Sequence, residues 1–191
     1  LHTSLDADQE RQLLQAALHN PDAFRALYRH YFPRLYAYVA YRVGHAGEAE
    51  DLTADIFVKV VERLGTFEYR GVGSFAAWLF RIAHNHVSQF YRDRAEYLSL
   101  DDVPDIAADD LAPDQAIARK ERFIHLRTQL TALSPRRREI ITLKFFGGLR
   151  NQEIAAILGL DERTVASHLC RGIDDLGRKL EAEPDWKYDH E

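Results

Sequence analysis

The segment Arg150 to Arg171, RNQEIAAILGLDERTVASHLCR, admits few folds. Ile154, Ala155 and Leu158 place apolar groups on one side of a short helix, Gly159 suits its C-terminal end, and Asp161 suits the cap of the next. Val165 and Leu169 give that second helix a buried stripe four residues apart. Ala155 is small where two steeply crossing helices must approach. Arg163, Thr164, Ser167, His168 and Arg171 are left facing outward, each able to donate to phosphates or base edges. The pattern predicts a helix-turn-helix whose second helix enters a DNA major groove. A helical hairpin buried in a core would share the apolar pattern, so the flanks matter. Ser134-Pro135 supplies a capping hydroxyl and a proline for a first helical turn. Arg136, Arg137 and Arg138 crowd that turn, where the helix dipole disfavours cations, which points to an anionic partner.

Charge divided along the chain supports this. The whole chain of 191 residues is acidic, at -5. Residues 21–94 carry 10 basic and 8 acidic groups, residues 95–118 carry none and 7, and residues 119–180 carry 13 and 7. Two mildly basic modules therefore flank an acidic segment, a distribution the average hides. A hydrophobic fraction of 46% fits a globular protein, and no apolar run approaches the roughly 18 residues of a membrane span. The opening LHTSLDADQERQ is acidic and polar and shows no secretory signal. The lone cysteine, Cys170, excludes an internal disulfide and is expected as a half-buried filler of the second helix. The expected compartment is cytoplasmic.

All periodicity is helical, so the predicted fold class is all-α, with two small helical domains joined by an acidic linker. Apolar residues line one face at Phe24, Leu27, Tyr28, Tyr31, Leu35, Val39 and Val43. Leu52, Ile56, Val60 and Leu64 do so again, then Phe75, Leu79, Ile82, Val87 and Phe90, with Ser74 as N-cap. These three helices define a first domain ending at 94, within the span 1–94. Residues 95–118, with two prolines and six aspartates, read as a solvated tether or as an occupant of a basic channel. Residues 119–180 form the second domain, and 181–191 an acidic tail carrying Trp186 and Tyr188.

Two further faces carry chemistry. On the helix from Ser74, the residues Trp78, Arg81, Asn85, Ser88, Gln89 and Arg92 share a broad side suited to stacking on and reading unpaired bases. The preceding loop adds Phe67, Tyr69 and Arg70 beside flexible glycines, and such a loop can hold a flipped base. A helix whose Trp78 is simply a core residue and whose arginines are solvated is the plainer alternative. On the helix before it, Glu48, Asp51 and Asp55 make a carboxylate stripe, with Phe57 close by. Their spacing spreads them along the helix rather than around a point, which suits a solvated face or a basic protein partner better than a metal ion. His84 and His86 fall on different faces and make a poor metal pair. No nucleophile elbow, phosphate loop or zinc-hydrolase motif occurs, so neither an enzyme nor a cofactor is expected.

With these surfaces placed, the chain resembles bacterial RNA polymerase sigma factors of the sigma-70 family, in the two-domain extracytoplasmic-function (ECF) group. EAEDLTADIFVKVVERL resembles the family's polymerase-clamp helix, and GSFAAWLFRIAHNHVSQFYRDR its promoter-melting helix. LSPRRREIITLKFFGGLRNQEIAAILGLDERTVASHLCRGIDDLGRKL resembles its upstream-promoter domain. The resemblance implies that Glu48, Asp51, Asp55 and Phe57 dock on the clamp helices of the polymerase's largest subunit. It implies that Phe67, Tyr69, Arg70, Trp78, Arg81 and Asn85 open the −10 element, and that Arg163, Thr164, Ser167, His168 and Arg171 contact the −35 element. Core RNA polymerase, including its flap region, promoter DNA and an anti-sigma factor are the implied partners, with no membrane contact of the chain's own. Ala166 and His168 stand where the family often has Lys and Arg, and Asp174-Asp175 replaces a basic pair, so fewer phosphate contacts are expected. The competing class is a polymerase-independent helix-turn-helix regulator, which would bind paired half-sites as a dimer.

Overall fold

Asp6 opens the first helix with a reciprocal capping box: the Gln9 backbone N–H donates to its carboxylate at 2.7 Å, and the Gln9 side chain accepts from the Asp6 N–H. The computed structural model describes residues 5–95 and 113–182. The helices, in order, are α1 (Ala7–Ala17), α2 (Pro21–Val43), α3 (Ala46–Arg63), α4 (Ser74–Ala95), α5 (Pro113–Thr131), α6 (Pro135–Phe145), α7 (Asn151–Leu158) and α8 (Glu162–Ala182). No strand occurs among the described residues. Apolar spacing does not predict α1; it packs on α2 and is pinned by the buried Glu10 carboxylate, which accepts from the Tyr31 hydroxyl.

The expected stripes are the core. Leu27, Tyr31, Leu35, Val39 and Val43 of α2 meet Leu52, Ile56 and Val60 of α3 and Phe75, Leu79, Ile82 and Val87 of α4, all buried. Asn20 caps α2, accepting from the Asp22 N–H at 2.9 Å. Gly44 ends α2 with φ 82, and Arg127 of α5 lies against it, donating to the Val43 carbonyl at 3.1 Å. A guanidinium thus sits at the negative pole of α2.

Two expected caps differ. Ser74 is already helical, and its hydroxyl accepts from the Arg70 N–H in the preceding loop. Ser134 makes no side-chain capping bond; α6 starts on Pro135 at its first position. Two of the three arginines after it also find internal explanations, while Arg136 stays exposed. Arg138 donates to the carbonyls of Leu130, Thr131 and Leu133, satisfying the end of α5, and Arg137 pairs with Asp175 of α8. A dipole that is unfavourable within α6 is offset by a neighbour's favourable one.

The second module behaves as a helix-turn-helix. Gly159 ends α7 at φ 65, Asp161 caps α8, and Ile154, Ala155 and Val165 are buried. Gly172 lies where α8 crosses α6: a Cβ there would stand 2.6 Å from Ile141 Cδ1. Residue Cys170 is exposed rather than half-buried, because it points away from that crossing.

The modules are not independent. α4 packs on α7 and α2 on α6, and one hydrophobic cluster includes Tyr38 and Phe80 from the first module with Ile140, Leu143, Leu149, Ile154 and Ile157 from the second. The expected linker, 95–118, falls largely outside the described residues, as does the tail with Trp186 and Tyr188. Its last residues belong to α5, which begins at Pro113 rather than at Arg119.

Candidate nucleic-acid interface

The loop between α3 and α4 must reverse the chain and leave a cavity beside it. Gly71 and Gly73 adopt φ 107 and 82, which side-chain-bearing residues rarely reach. The result is a cleft of ≈ 500 Å³ lined by Thr66, Phe67, Glu68, Arg70, Ser74, Ala77, Trp78 and Arg81. That volume lies within the roughly 300–1,000 Å³ of small-ligand clefts. Its aromatic wall is a trio: the rings of Phe67 and Trp78 lie 5.1 Å apart, Phe75 and Trp78 5.7 Å, and Phe67 and Phe75 5.4 Å. Trp78 is half-buried, held by its neighbours while one edge stays accessible. Two guanidiniums border it; Arg70 pairs with exposed Glu68 at 2.9 Å. An indole fixed by packing beside exposed cations is a stacking platform with phosphate-binding capacity.

Four of the six residues expected at this surface therefore line one cleft: Phe67, Arg70, Trp78 and Arg81. Tyr69 does not line it; its hydroxyl donates to the Ala7 carbonyl at 3.2 Å and ties the loop to α1. Asn85 is exposed one turn beyond Arg81, outside the cleft lining. Thr66, Glu68, Ala77 and Ser74 complete the lining; the sequence singles out Ser74 only as a cap and the other three not at all. Further along α4, Arg92 bonds to Gln89, which donates to Asp93 at 2.5 Å.

On α8, Arg163, Ser167 and Arg171 are exposed at four-residue spacing and share one face. Thr164 is turned inward to the cap, where its hydroxyl and its N–H each donate to the Asp161 carboxylate at 2.7 Å. Those bonds hold the Asp161 carboxyl below the usual carboxylate range. His168 is half-buried, and its Nδ1 is buried without a hydrogen-bond partner among the described residues.

The carboxylate stripe of α3 is divided in the same way. Asp51 and Asp55 are exposed and Glu48 is half-buried, but Phe57 is a core residue, with its ring 4.5 Å from that of Tyr28. Phe57 is thus withdrawn from the face that carries the carboxylates. Val58, 56% exposed, takes its place beside Asp51 and Asp55, with Val61 equally exposed nearby. His86 of α4 stands 3.9 Å from Asp55, while His84 turns the other way, onto Glu139 of α6. Burial and then Lys59 keep the His86 imidazole below its ordinary pKa, so the neutral ring is favoured. Among the described residues no group of three or more His, Cys, Asp or Glu side chains is placed to hold a metal ion.

An all-α chain with a helix-turn-helix that exposes Arg163, Ser167 and Arg171, and with an aromatic cleft bordered by arginines, has the form of a DNA-binding transcription protein. Comparison with known proteins gives the class its name. Residues 27–97 match the family model for sigma-70 region 2, and residues 125–176 that for sigma-70 region 4. The chain is 31% identical over 180 residues to the ECF RNA polymerase sigma factor BldN of Streptomyces coelicolor, covering 92% of this chain and 68% of that protein. It is 30% identical over 162 residues to the RNA polymerase sigma factor YlaC of Bacillus subtilis, covering 83% and 92%. The solved structure of CnrH in complex with the cytosolic domain of CnrY superposes with a TM-score of 0.71 at 25% identity, covering 92% of this chain and 99% of that one. The sigma factor RpoE in complex with the anti-sigma factor NepR from Bartonella quintana shares the fold, with a TM-score of 0.66 at 24% identity over 84% of this chain and 98% of that one.

The chain belongs to the sigma-70 family, as an ECF RNA polymerase sigma factor acting in transcription initiation. The region 2 match over the first module decides for this reading over a polymerase-independent regulator. No described helix is long and apolar enough to cross a membrane.

Proposed function

We propose that the α3–α4 cleft receives an unpaired base of the −10 element, that the α8 face made by Arg163, Ser167 and Arg171 reads the −35 element, and that Asp51, Asp55 and Val58, with Glu48 at the edge, dock on the clamp helices of core polymerase. The convergence of Phe67, Arg70, Trp78 and Arg81 on one cleft carries the reading. Trp78 stacks on the base while the guanidiniums neutralise flanking phosphates, so opened DNA is stabilised over duplex. Asn85 contacts the same strand one helical turn away, and Tyr69 holds the loop. On α8, Thr164 orients the helix N-terminus through Asp161, and His168 contributes a ring edge. The chain divides into a first module through residue 94 and a second from 119 to 180, with 95–118 joining them and 181–191 as a tail. It acts by binding, without catalysis or a cofactor, in the cytoplasm.

CnrH and RpoE were captured with a cytosolic domain and an anti-sigma factor respectively. By extension, an anti-sigma partner controls this chain, covering the exposed Val58 and Val61 side of α3. The test is reconstitution: the chain plus core polymerase on genomic fragments should yield promoter-specific transcripts, and Trp78→Ala should retain polymerase binding while losing strand opening. Transcripts unchanged by Trp78→Ala would overturn the assignment of the cleft.

A further inference from the structure

Helix α1 lies before the span that matches region 2, yet three contacts join it to the α3–α4 cleft. At its first residue, the Ala7 carbonyl accepts from the Tyr69 hydroxyl in the cleft loop at 3.2 Å. Just past its end, Leu18 Cδ2 stands 3.9 Å from where a Cβ on Gly65 would sit, at the start of the same loop. Between them, Glu10 accepts from the Tyr31 hydroxyl of α2, with Glu10 6% and Tyr31 3% exposed. The Tyr31 ring meets Phe75 edge to face, with centroids 5.1 Å apart. Phe75 is the buried member of the aromatic trio and backs both Phe67 and Trp78. The path from Tyr31 to the stacking wall is therefore two ring contacts long.

A carboxylate is an unfavourable filler for this position if packing is all that α1 supplies. A leucine at position 10 would avoid desolvating a charge, and a phenylalanine at position 31 would need no acceptor. What the pair adds is direction. A hydrogen bond fixes the tilt and depth of the Tyr31 ring, which an apolar contact leaves free to slide. Burial and then the bond to Glu10 push the Tyr31 phenol upward in pKa, so it stays a donor. An edge-to-face contact is itself directional, so the tilt set at Tyr31 passes to Phe75 and from there to the wall. Tyr69 acts on the loop side of the same wall, two residues from Phe67.

We propose that α1 buttresses the cleft: Glu10 through Tyr31 and Phe75, and the Ala7 carbonyl through Tyr69, hold the Phe67–Trp78 wall in the geometry that receives an unpaired base. The inference rests on the assignment of the cleft to such a base. Glu10, Tyr31 and Tyr69 do not line the cleft, so all three are positioning residues. Their effect is preorganisation. A wall already ordered in the free chain spares the incoming base the entropy of ordering it, which raises affinity without adding a contact.

The test measures binding of a fluorescent single-stranded −10 oligonucleotide to the full chain in complex with core polymerase. Tyr69→Phe and the double variant Glu10→Leu/Tyr31→Phe should each weaken it about fivefold, the scale of one lost hydrogen bond, with core-polymerase affinity unchanged. Both keep every ring, and urea unfolding checks that each remains folded. Glu10→Gln should bind like the parent, because its amide oxygen still accepts from Tyr31. In free chains carrying Trp186→Phe, Trp78 is the one indole, and iodide should quench it more strongly in the two weakened variants. In a Trp78→Ala background the same changes should cost nothing further, since the wall they hold is gone. A loss that persists at full size there would mark general loosening and overturn the buttress. If Trp78→Ala weakens binding and the two variants do not, the buttress fails and the cleft assignment stands. If Trp78→Ala itself has no effect, the cleft assignment fails and takes the buttress with it.

Discussion

Phe57 and Val58 are neighbours with opposite surroundings, and the difference is angular. At about 100° per residue, Phe57 lies roughly 180° from Glu48 on α3, while Val58 lies within about 20° of Asp51. An aromatic residue next to a carboxylate stripe in the sequence is therefore on the far side of the helix. Phe57→Ala should lower stability by about 3–5 kcal/mol in urea unfolding, as for other buried aromatic truncations. Val58→Asp should leave the unfolding midpoint nearly unchanged and weaken core-polymerase binding about tenfold or more, measured by titration of labelled chain. At the cleft, Trp78→Ala should weaken binding of a single-stranded −10 oligonucleotide to the polymerase complex by roughly 5- to 150-fold, the range of 1–3 kcal/mol for a lost stacking partner. Trp78, Arg81 and the aromatic loop are legible in the sequence because aromatic residues spaced onto the same helix side as arginines violate the expectations for a solvated face. Tyr69 is not, because its hydroxyl partner is the backbone carbonyl of Ala7, some sixty residues away.

Among the elements, α2, α3, α4, α7 and α8 follow directly from apolar spacing, whereas α1 does not. Its apolar content is limited, but Asp6 and Gln9 already form the capping-box pattern, so the signal lies in the cap rather than in the stripe. The opposite holds in α6, where three arginines in a first turn look like a surface awaiting an anion. Arg138 instead terminates α5 and Arg137 meets Asp175, relations that require knowing which helices are adjacent. The same pairing explains the acidic residues of α8, since Asp175 also holds Arg178 at 2.6 Å. The recognition helix yields a sharper expectation for the two positions that depart from the family. Ala166 is exposed, so Ala166→Lys adds a cation without a packing penalty. It should tighten −35 duplex binding and steepen the dependence of log K on log salt by about 0.9, the increment for one phosphate contact. His168→Arg is less favourable, because the imidazole Nδ1 is buried and a larger group must displace its neighbours. A salt titration of the two variants side by side should show the slope change for Ala166→Lys with unaltered thermal stability, and a lowered melting temperature for His168→Arg.

For the whole molecule, the charge pattern reveals two modules and a separator but gives no hint that the modules pack together. The reason is chemical: Arg34, Arg81, Arg127 and Arg150 cross the interface to backbone carbonyls, which every residue carries and no sequence pattern distinguishes. Glu139 is the exception, a carboxylate among arginines that reads as a surface charge until Tyr38, Arg42 and His84 are seen around it. Burial alone would raise its pKa, but the hydrogen bond from His84, the charge of Arg42 and the Tyr38 hydroxyl outweigh that effect and hold the carboxyl below its usual 4.5. Burial and the same carboxylate push the Tyr38 phenol far upward, so it remains a donor at any working pH. A carboxyl whose folded pKa is depressed binds fewer protons in the folded chain than in the unfolded one. Its stabilisation is therefore complete above about 4.5 and is lost as the pH falls through the folded value. Glu139→Gln should accordingly lower stability by roughly 1–3 kcal/mol at pH 7, the range for a hydrogen bond to a charged group. The difference between parent and variant should narrow as the pH falls below 4.5 and through the depressed folded value, where the parent carboxyl becomes a neutral acid resembling the amide. Thermal melts of both chains at a series of pH values from neutral to acid check this, and a gap that stays constant into acid would mean that Glu139 contributes shape rather than charge to the contact between the modules.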